Sequence, residues 1–215
     1  MKKTVKYIIF IVAGLIAGFL ISSVIFTATG FSLFGAGSEE RSHSVKKNNQ
    51  ELISLALRAV DNIKHNDFQA LSQIVHPELG VVFSPYATIT LTTNKCFPAE
   101  HIALFGTDSK LYVWGVYAGS GEPIELTVAD YFAEFVFDRD YTAATVIGVN
   151  QIIKSGNALE NIADVLPDVK FIDFHIPGSE KDSAEDYDWS SLRLGFEEFE
   201  GSLWLTVILH SEIAE

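Results

Sequence analysis

Cysteine is almost missing from this sequence, because Cys96 is the only one among 215 residues. The chain therefore contains no internal disulfide, and a folded domain has to be stabilised by its apolar core. A hydrophobic content of 48% is sufficient for a sizeable core. Lys95 and Phe97 flank the cysteine in a pattern typical of a strand end or of the start of a helix, and we expect a buried free thiol there.

Charged residues are missing between Tyr7 and Ser38. Within this stretch, residues 7–28 are apolar and long enough for a helix to cross about 30 Å of hydrocarbon. Lysines precede the stretch and glutamates follow it, so the positive-inside rule predicts a single-pass anchor in the cell membrane. Residues 1–6 then lie in the cytoplasm and the C-terminal domain lies outside. Cleavage as a signal peptide near residues 35–37 remains an alternative.

Basic residues are scarce, since 15 lysines and arginines stand against 28 aspartates and glutamates. So acidic a chain is a poor partner for nucleic acid and for anionic lipid, and we expect no nucleic-acid binding. Inside the predicted anchor, the spacing of Gly14 and Gly18 permits close approach of two helices and therefore a homodimer.

Motifs that carry chemistry are also missing. The sequence has no pair of histidines or cysteines at metal-ligand spacing, no EF-hand loop and no serine in a nucleophile elbow. The acidic stretch 180–188 and the pair Asp138 and Asp140 are expected to be solvated rather than to bind Ca²⁺. We therefore predict no metal and no cofactor, and a non-catalytic role is favoured although catalysis stays open.

Beyond the anchor, residues 29–46 pass from apolar to polar without periodicity and are interpreted as a linker. Residues 47–215 are predicted to form one extracytoplasmic α+β domain. Its first helix is indicated by apolar residues at helical spacing: Leu52, Ala56, Ala59, Val60 and Ile63. Asn66 and Gln69 have the spacing of a capping box before a second helix, which should end at His76-Pro77.

Two further capping boxes are predicted downstream. Thr127 and Asp130 precede a stripe of large apolar residues, which is the strongest helical signal of the chain. The stripe consists of Val128, Tyr131, Phe132, Phe135 and Val136. Asn157 and Glu160 are predicted to begin another short helix, within a segment from about residue 140 to 167 that adds to the basic domain.

The C-terminal part is predicted to end in a β-hairpin whose two-residue turn is Glu200-Gly201. This register places Phe196 opposite Leu205, and it pairs Leu194 with Val207 and Leu192 with Leu209. All three apolar pairs then share one face, and His210 lies on the other.

The segment "LALRAVDNIKHNDFQALSQIVHPELGV" and the closing antiparallel strands resemble the nuclear transport factor 2-like superfamily. More narrowly, "WGVYAGSGEPIELT" and "SLRLGFEEFEGSLWLTVILH" are similar to segments of bacterial membrane-anchored or lipoprotein-like outer domains. The resemblance covers about residues 47–213. It implies a cone in which a curved antiparallel sheet packs on the N-terminal helices and leaves a cavity. The superfamily contains enzymes as well as binding modules, so it does not determine the function.

Five residues are candidates for lining such a cavity or binding a ligand, because their strand positions could direct them inward: Tyr86, Trp114, Tyr117, Asp173 and His175. Tyr86 is expected to share a face with Val82 and Ser84. The predicted function is a ligand-binding or interaction module of the cell envelope, with a small molecule or an envelope protein as ligand.

Two alternatives remain for the function. One is an isomerase or hydrolase that uses Tyr86 with Asp173 or His175. The other is a structural dimerisation module with an open sheet face around Trp204, Ile208 and Arg193.

Overall fold

The computed structural model of the chain describes residues 36–179 and 187–214. The predicted anchor at residues 7–28 lies outside these ranges, and no helix within them is long and apolar enough to cross a membrane. The chain divides into two units, Met1–Lys47 and Asn48–Glu215. The second unit contains every strand found in the described residues and is an α+β domain, so the α+β part of the predicted fold class is confirmed.

Helix α1 spans Ala36–Lys64, and its first part therefore extends into the predicted linker. This part is mostly polar and contains Gly37 and several serines, so neither helix propensity nor an apolar period predicts a helix there. All five apolar residues of the predicted first helix are buried. The helix ends at Lys64, and Asn66, two residues later, has a φ of 52°, which is typical of a residue that follows a helix.

Helix α2 is short and spans Phe68–Ser72. The predicted capping box at Asn66 and Gln69 is wrong, because Asp67 is the N-cap and its carboxylate accepts from the Ala70 N–H at 2.9 Å. The Gln69 side chain instead donates to the Ala103 carbonyl at 3.0 Å.

Six strands form the main sheet in the order β2-β1-β8-β7-β6-β5. Their ranges are β1 Val81–Ser84, β2 Lys95–Phe97, β5 Val146–Val149, β6 Lys170–Ile176, β7 Ser190–Phe199 and β8 Ser202–Ser211. The predicted antiparallel sheet is in fact mixed, because β1 pairs parallel with β8. Cys96, on the edge strand β2, is exposed rather than buried.

The hairpin of β7 and β8 has the predicted turn at Glu200-Gly201, where both residues have positive φ. Phe196 faces Leu205 as predicted, but beyond this pair the register shifts by one residue. Leu194 pairs with Ile208 and Leu192 with His210, so the pairings predicted there are wrong. Thr206 is the extra residue of a β-bulge, and its hydroxyl donates to the Gly195 carbonyl at 3.2 Å.

The two faces of the main sheet contact different partners. The face that we call the inner face packs against α1 and α2 in the main hydrophobic core, and it includes Phe83, Phe174, Leu194 and Ile208. The opposite, outer face carries Val207 and Leu209 in a second cluster with Ile89 and Ile162. Both faces are buried because residues 150–169 cover the outer one.

A two-stranded ribbon of β3 (Tyr112–Val116) and β4 (Pro123–Leu126) lies beside the main core. A short helix α3 (Ala99–Ile102) precedes it. Helix α4 (Val128–Tyr131) follows, and its predicted cap is confirmed because the Thr127 hydroxyl accepts from the Asp130 N–H. The apolar stripe behind this cap is buried, although residues 132–136 form a π-helical turn rather than an α-helix.

The segment that covers the outer face contains one short helix, α5, at Ile162–Val165. The predicted cap at Asn157 and Glu160 is wrong, because both side chains make tertiary contacts. The Asn157 amide donates to the Ala214 carbonyl at 2.7 Å and accepts from the Ala214 N–H at 2.9 Å. The Glu160 carboxylate binds Arg193.

Candidate functional site

Tyr86 and Tyr117 both lie next to the Phe135 ring. Their ring centroids are 5.8 and 6.3 Å from that of Phe135. The predicted shared face of Tyr86 with Val82 and Ser84 is wrong, because β1 ends at Ser84 and Pro85 redirects the chain. Tyr86 packs against the main core, on the side that Phe83 faces. Two of the five candidate residues are thus brought together.

A cleft of about 380 Å³ opens next to these tyrosines and is lined by Ala118, Gly119, Asn157, Ala158 and Ala214. The Ala118 N–H, on its wall, donates to the Tyr86 hydroxyl at 3.4 Å. Residues 212–214 lie beside residues 156–158 at this cleft. Gly156 is required there, since a Cβ at this position would lie 2.0 Å from the Glu212 carbonyl oxygen.

Ionisable groups with shifted pKa values concentrate around this cleft. Burial, opposed in part by the hydrogen bond from Ala118, raises the pKa of Tyr86, and the carboxylates of Glu212 and Glu134 raise it further. Burial raises the pKa of Tyr117, with an added contribution from Glu134. Burial likewise raises the pKa of Glu212. We call Tyr86, Tyr117, Glu134 and Glu212 the phenol–carboxylate cluster. Such concentrations of perturbed groups beside a cleft are typical of functional sites.

Trp114 does not reach the cleft. It is fully buried, its ring stacks on Tyr131 at 3.8 Å, and its indole N–H donates to the Leu126 carbonyl at 3.0 Å. Phe83 and Phe97 pack around it. Aromatic rings therefore occupy the space between the helices and the inner face.

Asp173 and His175 lie on the outer face of the sheet, away from Tyr86. Asp173 is fully buried and accepts from the Ile153 N–H at 2.9 Å. Arg193, also fully buried, lies 3.5 Å from Asp173 and 2.6 Å from Glu160. Burial raises the pKa of Asp173 in spite of the opposing effect of Arg193. The Nδ1 atom of His175 lies 2.9 Å from the Ser191 hydroxyl.

This placement argues against the residues predicted for the two alternative functions, the enzyme and the dimerisation module. An active site of Tyr86 with Asp173 or His175 would need side chains from opposite faces of the sheet. The open interface predicted around Trp204, Ile208 and Arg193 is wrong, because Ile208 is buried in the main core and Arg193 is buried beneath residues 150–169.

A second polar cluster is buried at the inner face, next to Phe135. The Tyr141 hydroxyl donates to Asp138 at 2.6 Å, and it also meets the Ser190 hydroxyl. Ser190 and Asp138 both approach the same nitrogen of His210, Nε2, at 2.9 and 3.3 Å. Burial would raise the pKa of Asp138, but its bonds to His210, Tyr141 and Ser190 lower it.

The residue types of this cluster are those of a hydrolytic triad, but their arrangement is not. In a triad the acid holds Nδ1 and the serine faces Nε2. Here His210 Nδ1 has no partner among the described residues, and Ser190 is only 1% exposed. The bulge at Thr206 explains why His210 lies on the inner face, which contradicts the prediction from the sequence.

A third polar cluster lies at the surface near α3. Asp108 accepts from the Tyr112 hydroxyl at 2.7 Å and lies 3.0 Å from His101 Nε2. Bonds from the Lys110 N–H, Tyr112 and His101 lower the pKa of Asp108, and the pKa of Tyr112 is raised to about 12 by burial and by Asp108. No group of three or more possible metal-binding side chains occurs within residues 36–179 and 187–214.

Sequence reasoning missed Glu134 and Glu212, and it was wrong to expect a solvated Asp138, whose side chain is only 19% exposed beside His210. The residues come from two distant stretches, 134–141 and 190–212, and no local spacing shows that the fold brings these stretches together. The one available signal was the pair Tyr86 and Tyr117, each of which was a candidate from its strand position alone.

The chain matches no protein-family model, no curated protein and no solved structure.

Proposed function

We propose that this protein is a membrane-anchored module of the cell envelope whose outer domain binds a small ligand without transforming it. The ligand occupies the cleft lined by Ala118, Gly119, Asn157, Ala158 and Ala214. The observation that carries this proposal is the cleft itself, about 380 Å³ in volume, with the phenol–carboxylate cluster beside it. This volume is within the range of small-molecule sites, about 300–1,000 Å³.

At the level of the fold, we propose the cone architecture of the nuclear transport factor 2-like superfamily. Three observations support it. The domain opens with α1 and α2, a turn containing Asp67 joins them, and the six-stranded sheet packs its inner face on both helices. The aromatic rings around Trp114 occupy the space between helices and sheet, so the binding site is displaced to the end of the sheet.

Binding is favoured over catalysis by the chemistry of the cleft. Asn157 holds the C-terminal residues with both ends of its amide group, and Ala118, Gly119, Ala158 and Ala214 carry no reactive side chain. The nearest histidine-containing cluster, around His210, is buried behind Phe135. The cleft can thus hold a molecule but offers no activated nucleophile to it.

Ligand capture tests this function. Full-length protein in neutral detergent micelles is incubated with the small-molecule fraction of an envelope extract, and the retained molecules are identified by mass spectrometry. A matched pair of variants locates the site: Ala158→Trp fills the cleft, whereas Leu159→Trp adds the same side chain at a position that is 70% exposed. We expect retention by the wild type and Leu159→Trp, and loss in Ala158→Trp. Equal retention by both variants would contradict the assignment of the cleft.

Anchoring needs a separate measurement, because it depends on residues 7–28. We expect the mature protein in the membrane fraction with its original N-terminus, and the C-terminal domain accessible to protease from outside the cell. A soluble protein whose N-terminus lies near Ser38 would overturn the anchor, and the ligand-capture experiment would be unaffected.

A further inference from the structure

A groove separate from the cleft at Ala118 runs between α1 and the turn of the β7–β8 hairpin. It consists of two adjoining cavities of about 350 and 100 Å³, and both are lined by Glu51, Ser202 and Leu203. The larger cavity has the size of a small-molecule site. We call it the helix–hairpin groove, and its six lining residues are Glu51, Ser54, Leu55, Arg58, Ser202 and Leu203.

The helix–hairpin groove has an apolar floor. Leu55 from α1 and Leu203 from β8 are half-buried, and both pack against the main hydrophobic core. Ser54 and Ser202 are exposed and add a hydroxyl from each wall. Ligand sites typically combine apolar surface with a few polar groups that orient the bound molecule. The lining of this groove has that composition.

Two opposite charges lie along the α1 wall of the groove. Glu51 and Arg58 are seven residues apart, which separates their Cα atoms by about 10.5 Å along the helix axis. Ion pairs on a helix form between residues three or four positions apart, so these two do not neutralise each other. Neither side chain has an ion-pair partner elsewhere in the described part of the chain. Both charges are therefore free to bind a ligand.

The smaller cavity differs in this respect. Two charged residues line it in addition to Glu51, namely Lys170 and Glu198. Their side chains lie 3.5 Å apart and pair with each other. The free charges of the groove are thus a carboxylate near one end of the larger cavity and a guanidinium near the other.

A ligand that satisfies both groups carries a positive and a negative charge about 10 Å apart. An extended peptide spans about 3.3–3.6 Å per residue, so the charged termini of three residues have this separation. The terminal ammonium matches the Glu51 carboxylate. The terminal carboxylate matches the fork of N–H donors on Arg58, which binds carboxylates in a bidentate manner. A central apolar side chain would contact Leu55 and Leu203.

We propose that the helix–hairpin groove binds a short peptide of about three residues with free termini and an apolar central side chain. The peptide runs parallel to α1, with its N-terminus at Glu51 and its C-terminus at Arg58. This inference goes beyond the proposed function, because it assigns a second ligand to a site that shares no lining residue with the cleft at Ala118.

Three forms of one peptide test the charge requirement. Alanyl-leucyl-alanine is titrated by calorimetry into the full-length protein in dodecyl maltoside micelles, with empty micelles as blank. Its N-acetyl form lacks the positive charge, and its C-terminal amide lacks the negative charge. We expect the free peptide to bind most tightly and each blocked form to bind about fivefold more weakly, as for ion pairs at a partly exposed site.

Charge-removing variants connect each terminus to its partner. Glu51→Gln should weaken the free peptide and the amide about fivefold but leave the acetylated peptide unchanged. Arg58→Gln should weaken the free and the acetylated peptide but leave the amide unchanged. Such a crosswise pattern measures the coupling of each pair and does not arise from a general loss of structure. Glu125→Gln, at an exposed position on β4, is the control and should change none of the three affinities.

The outcomes separate this inference from the proposed function. Equal affinity for the three peptides, no binding of any of them, or variant effects that ignore which terminus is blocked would each overturn the peptide site. Ala158→Trp should leave peptide binding unchanged, and loss of peptide binding in this variant would also contradict the assignment to the helix–hairpin groove. None of these results changes the ligand-capture test of the cleft, which uses a different site.

Discussion

The two faces of the main sheet are buried by different physical means. The inner face is covered by α1, α2 and a cluster of aromatic rings, and its stability derives from apolar burial. The outer face carries Asp173, His175, Ser191 and Arg193, and residues 150–169 cover it through apolar contacts around Ile162 and through an ion pair between Glu160 and the buried Arg193. One sheet thus combines a face covered mainly by apolar groups with a face whose cover adds a buried ion pair to apolar contacts.

This difference indicates where a ligand can bind. Neither face is available, because one is occupied by aromatic rings and the other by the covering segment. The cleft lies at the end of the sheet, where the covering segment meets the C-terminal residues at Asn157 and Ala214. Function is therefore expected at the boundary between the two faces.

The largest expected effect comes from breaking the charge pair of the outer face. Arg193→Ala leaves Asp173 and Glu160 without their partner, and a buried charge that loses its partner costs about 3–5 kcal/mol. Urea unfolding measures this loss. Arg58→Ala, at an exposed position on α1, is the control and should change the free energy of unfolding by less than about 0.5 kcal/mol. Equal effects of the two substitutions would show that the outer face does not depend on charge.

A smaller effect is expected from the polar cluster of the inner face. Tyr141→Phe removes the hydroxyl that donates to Asp138 and meets Ser190, which costs about 1–3 kcal/mol because Ser190 is buried and the Asp138 side chain is only 19% exposed. Tyr187→Phe removes the same group at a residue that is 62% exposed and should be neutral. If thermal unfolding does not distinguish the two variants, the cluster contributes nothing to stability.

The pH dependence should have opposite sign for the two faces. The pKa of Asp173 is raised from 3.8, so its ionisation destabilises the fold as pH rises above that value. The pKa of Asp138 is lowered, so its stabilising contribution is present above 3.8 and is lost as pH falls below it. Raising the pH from 3 to 7 should therefore change the free energy of unfolding more favourably in Asp173→Asn than in the wild type, and less favourably in Asp138→Asn. Chemical unfolding at both pH values checks this, and slopes of the same sign would contradict the comparison.

The smallest effect is expected at the N-cap of α4. This cap precedes the apolar stripe of residues 128–136, which packs in the main hydrophobic core. Thr127→Ala removes the acceptor of the Asp130 N–H and should cost about 1 kcal/mol. Thr92→Ala, at an exposed position, provides the matched control. A cost no greater than that of the control would mean that tertiary packing alone holds this helix.

Much of the main hydrophobic core could be predicted from the sequence. The five apolar residues of α1 and the stripe behind Thr127 repeat at helical spacing, and this spacing is a local property of the chain that predicts which side of a helix is buried. The turn at Glu200-Gly201 and the first pair of the hairpin were also predicted correctly.

The bulge at Thr206 could not be predicted, and it causes the largest difference between the predicted and the observed strand pairing. A single inserted residue exchanges the faces of all later positions on β8, so His210 moved to the inner face. Nothing in "SLWLTVILH" marks this insertion, because apolar residues occupy both faces of that strand.

Side chains with tertiary partners were the other source of error. Asn157 and Glu160 have capping-box spacing, but they bind Ala214 and Arg193, which are distant in sequence. For the same reason, strand alternation could select Tyr86, Asp173 and His175 as candidates but could not assign them to faces. Both faces of β6 are buried, so its sequence contains no alternation of polarity to read.

Alanine-methyl NMR tests the central claim most directly, namely that a ligand binds at the end of the sheet and not within it. Full-length protein labelled at alanine methyl groups is titrated with the small-molecule fraction of an envelope extract. We predict shifts for Ala118, Ala158 and Ala214 in the cleft, with Ala56 and Ala59 in the inner core unchanged. Shifts of Ala56 and Ala59 without those of the cleft alanines would contradict the claim.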